Sequence, residues 1–462
     1  MQVQSENGLM HVAVPKDAFR NYVNGQYIWS PTLKGYIEQG VASSSDRRIV
    51  RLLNLILHRN SDIDSIKLRT VTDLVESEGQ SYLSAMTAWG NSTLETHNWN
   101  SDTGLPKENA FLSEGISAYD KTAYGPKLTE TEKETHSTQI EQLVEQINTD
   151  KPEDFKIPEE LTDPKTVEAD SSKAVIVSLD GVCSKRQKDT RPPKDPNEPF
   201  FQRDELEGPE DLRRAPDPKK RPKVETAVAH IDFDGKKYVM ADTNMFALCK
   251  LVLAFLLHHG LLEDRKLIFL SDGGKDIKAA VEHVFAFCPY VIMLDWYHLK
   301  KHCLEMLSMS VVGGKKHRDI QWEIRRNLFR RLFNGNVDGA QNYLASLDRI
   351  WIKNQVMLQG LSDYLERKRS TIACYSLRKR MGLRISSNRV EKVNDMIVSE
   401  RQKGKGMSWS REGSWSLAVL TTKYLNHENE NWSQSHTIGF EPYQQYQSLF
   451  DFKNNTSIKM IA

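Results

Sequence analysis

Between residues 173 and 295 short apolar runs alternate with stretches of helical period. AVIVSLD (174–180), ETAVAHIDF (225–233), KKYVMA (236–241), KLIFLSD (266–272) and PYVIMLD (289–295) are rich in β-branched residues and too short for helices. They read as largely buried strands. NMFALCKLVLAFLLHHG (244–260) and KDIKAAVEHVFAF (275–287) read as the helices between them. Asp234-Gly235 supplies a two-residue hairpin between the second and third strands, because both positions tolerate positive φ. The order of three strands, helix, strand, helix, strand predicts an α/β unit with a mixed sheet and helices on both faces.

The flanking segments have other textures. DRRIVRLLNLILHR, KLRTVTDLVESEG and QSYLSAMTAW, between about 44 and 90, predict three short helices. In the middle one, Leu68, Val71 and Leu74 or Val75 share a face, with Lys67, Arg69, Thr70 and Thr72 on the other. Residues 1–90 are therefore expected to be an N-terminal helical domain resembling a helix-turn-helix, with a plain helical cap as the equal alternative. Residues 91–172 turn polar and acidic, and read as a linker. The stretch from Ser184 to Val224 carries eight prolines between basic ends. Proline removes backbone donors, so an extended surface arm is expected there. Residues 296–385 read as a basic α-helical insertion, 386–425 as a return to the α/β unit, and 426–462 as a polar, poorly ordered tail.

Totals narrow the class. The 462 residues are 39% hydrophobic and 27% charged, which is the composition of a folded aqueous domain. The longest apolar run, LCKLVLAFLL, is interrupted by Lys250, so no membrane span is expected. The first residues lack the pattern of a secretory signal. Five scattered cysteines with no CxxC pair argue against a disulfide framework and a structural zinc site. A cytoplasmic location follows. Net charge is only +1, yet residues 91–170 hold 18 Asp/Glu against 7 Lys/Arg, and residues 296–390 hold 19 Lys/Arg against 7 Asp/Glu. The basic part suggests a polyanionic partner; a solvated helical surface has the same composition.

Chemistry is expected where strands end on carboxylates. Asp180 precedes Gly181, and Asp272 precedes Gly273 and Gly274, so the backbone turns there without a Cβ in the way. A turn is the commoner use of either motif alone. If the two strands are neighbours, both carboxylates reach one rim, where they repel unless a cation sits between them. Mg²⁺ suits such a site, since it takes hard oxygen ligands and accepts phosphate. Asp295 and His298 lie three residues apart at the start of a helix, as a cap or as a functional pair. Glu391 lies at the edge of the apolar stripe Val390, Val393, Met396, Ile397, so its helix could bring it to the same rim. Beyond it Arg401, Lys403 and Lys405 form a basic, glycine-bearing loop. Trp409 and Trp415 offer faces for bases or for helix packing.

The set Asp180-Gly181, Ser271-Asp272-Gly273, Asp295-x-x-His298 and SSNRVEKVNDMIVSERQKGKGMSWSREGSWSLAVL, over roughly 173–423, resembles the DDE transposases of bacterial insertion sequences, mutator-like branch. The resemblance implies a ribonuclease-H-like catalytic domain at 173–295 and 386–425, interrupted by the helical insertion. It implies catalytic and metal-binding roles for Asp180, Asp272 and Glu391, with Glu400 as the other candidate glutamate, and for His298 a role either orienting the scissile phosphate or flanking the metal site. The implied activity is cleavage of transposon ends and strand transfer with Mg²⁺, or Mn²⁺ in its place. The implied partners are double-stranded DNA, contacted by Lys67, Arg69, Thr70, Arg401, Lys403, Lys405 and Trp409, and further copies of the chain, in a nucleoid-associated bacterial setting. A ribonuclease-H-like nuclease without strand transfer, and a DNA-binding protein with a decayed catalytic domain, are the alternatives.

Overall fold

The structure, a computed structural model, describes residues 2–5, 8–11, 28–29, 37–38, 40–42, 46–56, 67–107, 174–187, 222–262, 265–288, 290–380, 384–386, 392–404 and 407–444. Its centre is a five-stranded mixed sheet in the order β6-β5-β4-β7-β8. The strands are β4 (Ala174–Lys185), β5 (Lys223–Phe233), β6 (Lys236–Asp242), β7 (Lys266–Ser271) and β8 (Tyr290–Leu294). β4, β5 and β6 form an antiparallel meander, whereas β7 and β8 run parallel to β4. All five predicted strands are present. Asp234 (φ 49°) and Gly235 (φ 73°) make the predicted tight turn, and Arg265 holds the Asp234 carboxylate with two bonds of 3.0 and 2.7 Å.

Side chains alternate across the sheet. One face, with Val177, Ala229, Phe269 and Ile292, packs against α3 (Met245–His258) and α4 (Lys275–Val284). The other face is covered by two different groups of helices. Over β7 and β8 lie α5 (Trp296–Ser310) and, beyond it, α6 (Arg318–Phe333), α7 (Val337–Ala345), α8 (Gln355–Lys368) and α9 (Tyr375–Arg380). Ile268, Leu270, Val291 and Met293 share a core with Leu299, Leu328, Leu361 and Leu365. The basic segment 296–385 is thus a helical body that leaves the sheet at Asp295 and returns beside it, since the Trp296 N–H donates to the Ile385 carbonyl at 3.1 Å. Over β4 to β6 lie α10 (residues 392–402, π-wound at Asp395–Ser399) and α11 (Arg411–Leu425).

The N-terminal part departs from expectation. A small sheet, β1 (Gln2–Ser5), β2 (Gly8–His11) and β3 (Ile28–Trp29), precedes α1 (Asp46–Ile56). The second and third predicted helices are one 29-residue helix, α2 (Leu68–Thr96). The turn of a helix-turn-helix is absent there, and the expected boundary at residue 90 falls inside α2. Gly79, the last residue of the second predicted helix, is where α2 crosses α11: a Cβ would lie 2.3 Å from the Ser416 Cα. α1, α2 and α11 share a core of Ile49, Leu53, Val71, Val75, Leu417 and Leu420.

Residues 91–107 do not behave as a linker either, because Trp99 is fully buried edge-on to Phe287. The tail reading fails as far as residue 444: α12 (Asn429–Ser435) follows α11, and Trp432 and Phe440 are buried in the main core. Most of the expected linker and proline-rich arm lies outside the described residues, as do residues 445–462. No helix among the described residues is long and apolar enough to cross a membrane.

Candidate functional site

The parallel strands β4, β7 and β8 lie side by side, and each carries an aspartate at its carboxyl side: Asp180, Asp272 and Asp295. Ladder pairing of β4 with β7 ends at Ser178 opposite Leu270. Asp180 and Asp272 each lie two residues past that pair, and two residues is the period that returns a side chain to the same face. Asp295 stands in the same relation to Met293, which pairs with Leu270. All three are therefore delivered to the face covered by α5, α8 and α10. One detail differs from expectation: β4 does not end at Asp180 but continues to Lys185 paired with β5 alone. What ends there is the contact with β7, and parallel sheets hold ligands where neighbouring strands part at their carboxyl ends.

Each carboxylate is fixed by donors close in sequence. Asp180 Oδ1 accepts the Gly181 N–H at 2.8 Å, and Oδ2 accepts the side-chain amide of Asn394 on α10. A Cβ at Gly181 would lie 2.6 Å from the Glu225 Oε1, so any larger residue there would have to displace that carboxylate. Asp272 Oδ1 accepts the Gly274 N–H at 2.7 Å, and Gly273 between them has φ +87°, a conformation that penalises any Cβ. Asp295 is fully buried and caps α5, its Oδ1 accepting the His298 N–H at 2.9 Å and lying 3.2 Å from the same residue's Nδ1. Cap and pair are thus one arrangement. The cap is the hydrogen bond, and the ring lies beside the same carboxylate at ion-pair distance.

Asp272 and His298 line a common cleft of about 330 Å³, whose other walls include Lys301 and His302 of α5 and Tyr364 and Lys368 of α8. His302 packs on Tyr364 with ring centroids 4.0 Å apart. Burial lowers the His302 pKa; burial, followed by the nearby Cys303 and Asp272, raises that of the Tyr364 phenol. The Lys368 Nζ donates to the Gly273 carbonyl at 2.5 Å; burial lowers its pKa and Asp272 opposes that shift. Cys303 is buried behind this wall with its thiol pushed up to about 12. That makes it a packing residue, as expected from its lack of a partner cysteine.

The remaining expected residues separate. Glu391 and Lys405 lie outside the described residues; Glu400 is exposed on α10. Arg401 is a correction to the basic-loop reading. It is 6% exposed, donates to the Val41 carbonyl at 2.7 Å, pairs with Asp46 and lies over Trp409. Its guanidinium holds the N-terminal segment against α10. Trp409 is likewise packed: its indole donates to the Gln402 carbonyl at 3.0 Å and its backbone bonds Lys185 and Gln187. Lys403 is exposed, as are Lys67 and Arg69; Thr70 is half-buried, and Arg69 pairs with Asp73 one turn on.

Two residues of the site were missed from sequence. Asn394 carried a usable signal, being three residues after Glu391 and so on the same helical face. Lys368, 96 positions from Asp272, carried none. Among the described residues no group of three or more His, Cys, Asp or Glu is placed to hold a metal ion; the third expected carboxylate is outside them.

No family model and no curated protein matches this sequence.

Proposed function

We propose that the chain is a DDE-type transposase with a ribonuclease-H-like catalytic domain, cutting and joining DNA at the edge that bears Asp180 and Asp272. The observation that carries this reading is the delivery of two aspartates from adjacent parallel strands to one face, with Asp180 held by Asn394 three residues beyond Glu391. The strand order supports it: an antiparallel meander whose first strand is flanked on its other side by two strands parallel to it is the one expected of that fold. A basic helical body of 296–385 standing beside the edge supports a polyanionic substrate.

The residues fit Mg²⁺. Asp180 and Asp272 offer hard oxygens whose bonds to Gly181, Asn394 and Gly274 leave further lone pairs, and Glu391 would complete the set. A pair of such ions would stabilise the charge on attacking and leaving oxygens in an in-line displacement at phosphorus. Asn394 keeps the Asp180 carboxylate turned toward the edge, and Gly274 does the same for Asp272. His298, whose ring lies beside the Asp295 carboxylate, would orient the scissile phosphate. Cleavage and strand transfer need no separate sites, since both are displacements at phosphorus differing in the attacking hydroxyl.

The test is incubation of the protein with Mg²⁺, a labelled duplex carrying the inverted repeat that flanks its coding region, and a plasmid. Label joined to the plasmid is the expected product. Cleaved duplex without joining replaces this reading by that of a nuclease, and retained but intact duplex by that of a binding protein.

A further inference from the structure

The cleft beside Asp272 contains an ammonium group that no part of the proposed reaction has used. Lys368 projects from the last turn of α8, in the helical insertion, and reaches the loop that follows β7. Its Nζ donates to the Gly273 carbonyl at 2.5 Å, so it grips the residue next to Asp272. The approach depends on Gly273, where a Cβ would stand 3.2 Å from the Lys368 Nζ and 2.9 Å from the Leu294 Cδ1. An ammonium has three donors, and the Gly273 carbonyl takes one. Across the cleft Lys301 adds a second cation, and the packed His302 and Tyr364 rings form a stiff wall between α5 and α8. The cleft is open, lined on one side by backbone with no side chains at Gly273 and Gly274, and wide enough at about 330 Å³ for a phosphodiester group. Asp272 is the anion beside Lys368 and Glu305 also lines the cleft, so the two lysines balance two carboxylates where a phosphate would enter.

We propose that this cleft is a phosphate seat, in which Lys368 and Lys301 take a backbone phosphate of the bound strand next to the one that reacts, while Lys368 also positions Asp272 through the Gly273 carbonyl. The inference rests on the reading that this edge handles nucleic acid, and goes beyond it in assigning the helical insertion a contact within the site. Lys368 is a positioning residue for Asp272 and a binding residue for the strand. The two roles explain why a surface-type side chain is half-buried against a glycine carbonyl.

The experiment is the affinity of the full-length protein for a mixed-sequence 30-base-pair DNA duplex, read by fluorescence anisotropy at several salt concentrations without Mg²⁺. Each phosphate contact contributes about 0.9 to the slope of log affinity against log salt. Lys368→Met and Lys301→Met are each expected to lower the slope by about that amount. Lys368→Arg keeps the charge and is expected to retain the slope. Lys236→Met, in the hairpin at the opposite edge of the sheet, is expected to leave it unchanged. A purely structural lysine would change the melting temperature and not the slope. A wild-type slope in Lys368→Met, in protein that melts as a folded domain, overturns this inference and leaves the proposed function standing. Wild-type protein that fails to bind the duplex overturns both.

Discussion

The two groups of helices on the acid-bearing face use their cations in opposite ways. Over β4 to β6 the cations are inside. Arg401 is paired with Asp46, and Lys423, 2% exposed, with Glu38, 4% exposed. Both acids come from the N-terminal segment, so these buried pairs hold the chain's beginning to its end. Over β7 and β8 most cations lie outward or in the cleft: Arg326 lies over the exposed Trp322 ring at 5.0 Å, and Lys301 and Lys368 line the site, while Arg378, 1% exposed, is the buried exception and donates to the Arg384 carbonyl at 2.8 Å. A basic residue near the site in sequence therefore says little about its role. What decides it is whether an acid from a distant segment meets it in the interior.

The largest expected effect breaks the first half of that contrast. Arg401→Ala leaves Asp46 without its partner in a part-buried position, and loss of about 3–5 kcal/mol is expected for such pairs, read by denaturant unfolding. Arg326→Ala, its counterpart on the insertion, should cost less than about 0.5 kcal/mol and weaken duplex binding instead. Gly79→Ala sharpens the same contrast at the helix crossing. A Cβ placed 2.3 Å from backbone of α11 forces the helices apart, and a loss of about 3 kcal/mol is expected from overpacking of this kind. Equal tolerance of alanine at Gly79 and at exposed positions of α2 would contradict the close crossing.

A smaller effect is expected at Asn394. Asn394→Ala removes the amide that orients Asp180, and loss of an outer partner of this sort lowers activity or metal affinity about 10–100-fold. The fold should persist, which unfolding curves on the same variant would check.

The smallest effect is a pH dependence on the sheet's other face. His259, whose Nε2 lies 2.9 Å from the Phe440 carbonyl, has its pKa lowered first by burial. Its folded pKa is below the unfolded value near about 6.5, so the unfolded state binds the proton more readily. Stability is then full above that value and declines as pH falls toward the lower, folded pKa. His259→Gln should flatten that part of the stability profile.

The core of the fold was legible because its strands carry a plain physical signature. A run such as AVIVSLD is too short and too β-branched for a helix, and Asp-Gly accepts the positive φ of a tight turn. Asp180 and Asp272 were legible for the same reason, since glycine after a strand-end acid marks a backbone that turns at once. The N-terminal segment was not. A glycine within a helical pattern signals a break or a close crossing equally well, and only the partner helix, more than 300 residues later in the chain, decides between them at Gly79. Arg401 was misread as a loop cation on similar grounds, because the acid that meets it in the interior is Asp46. Lys368 was invisible, being one cation among the many of the insertion until α8 folds back on the β7 loop.

The central claim, that Asp180, Asp272 and Glu391 together hold divalent metal, is tested most directly by Mn²⁺ binding to the full chain, read by water-proton relaxation. The account predicts saturable binding in the wild type that falls at least about tenfold in each of Asp180→Asn, Asp272→Asn and Glu391→Gln, with folding intact. Mn²⁺ affinity unchanged in Asp180→Asn and Asp272→Asn would contradict it.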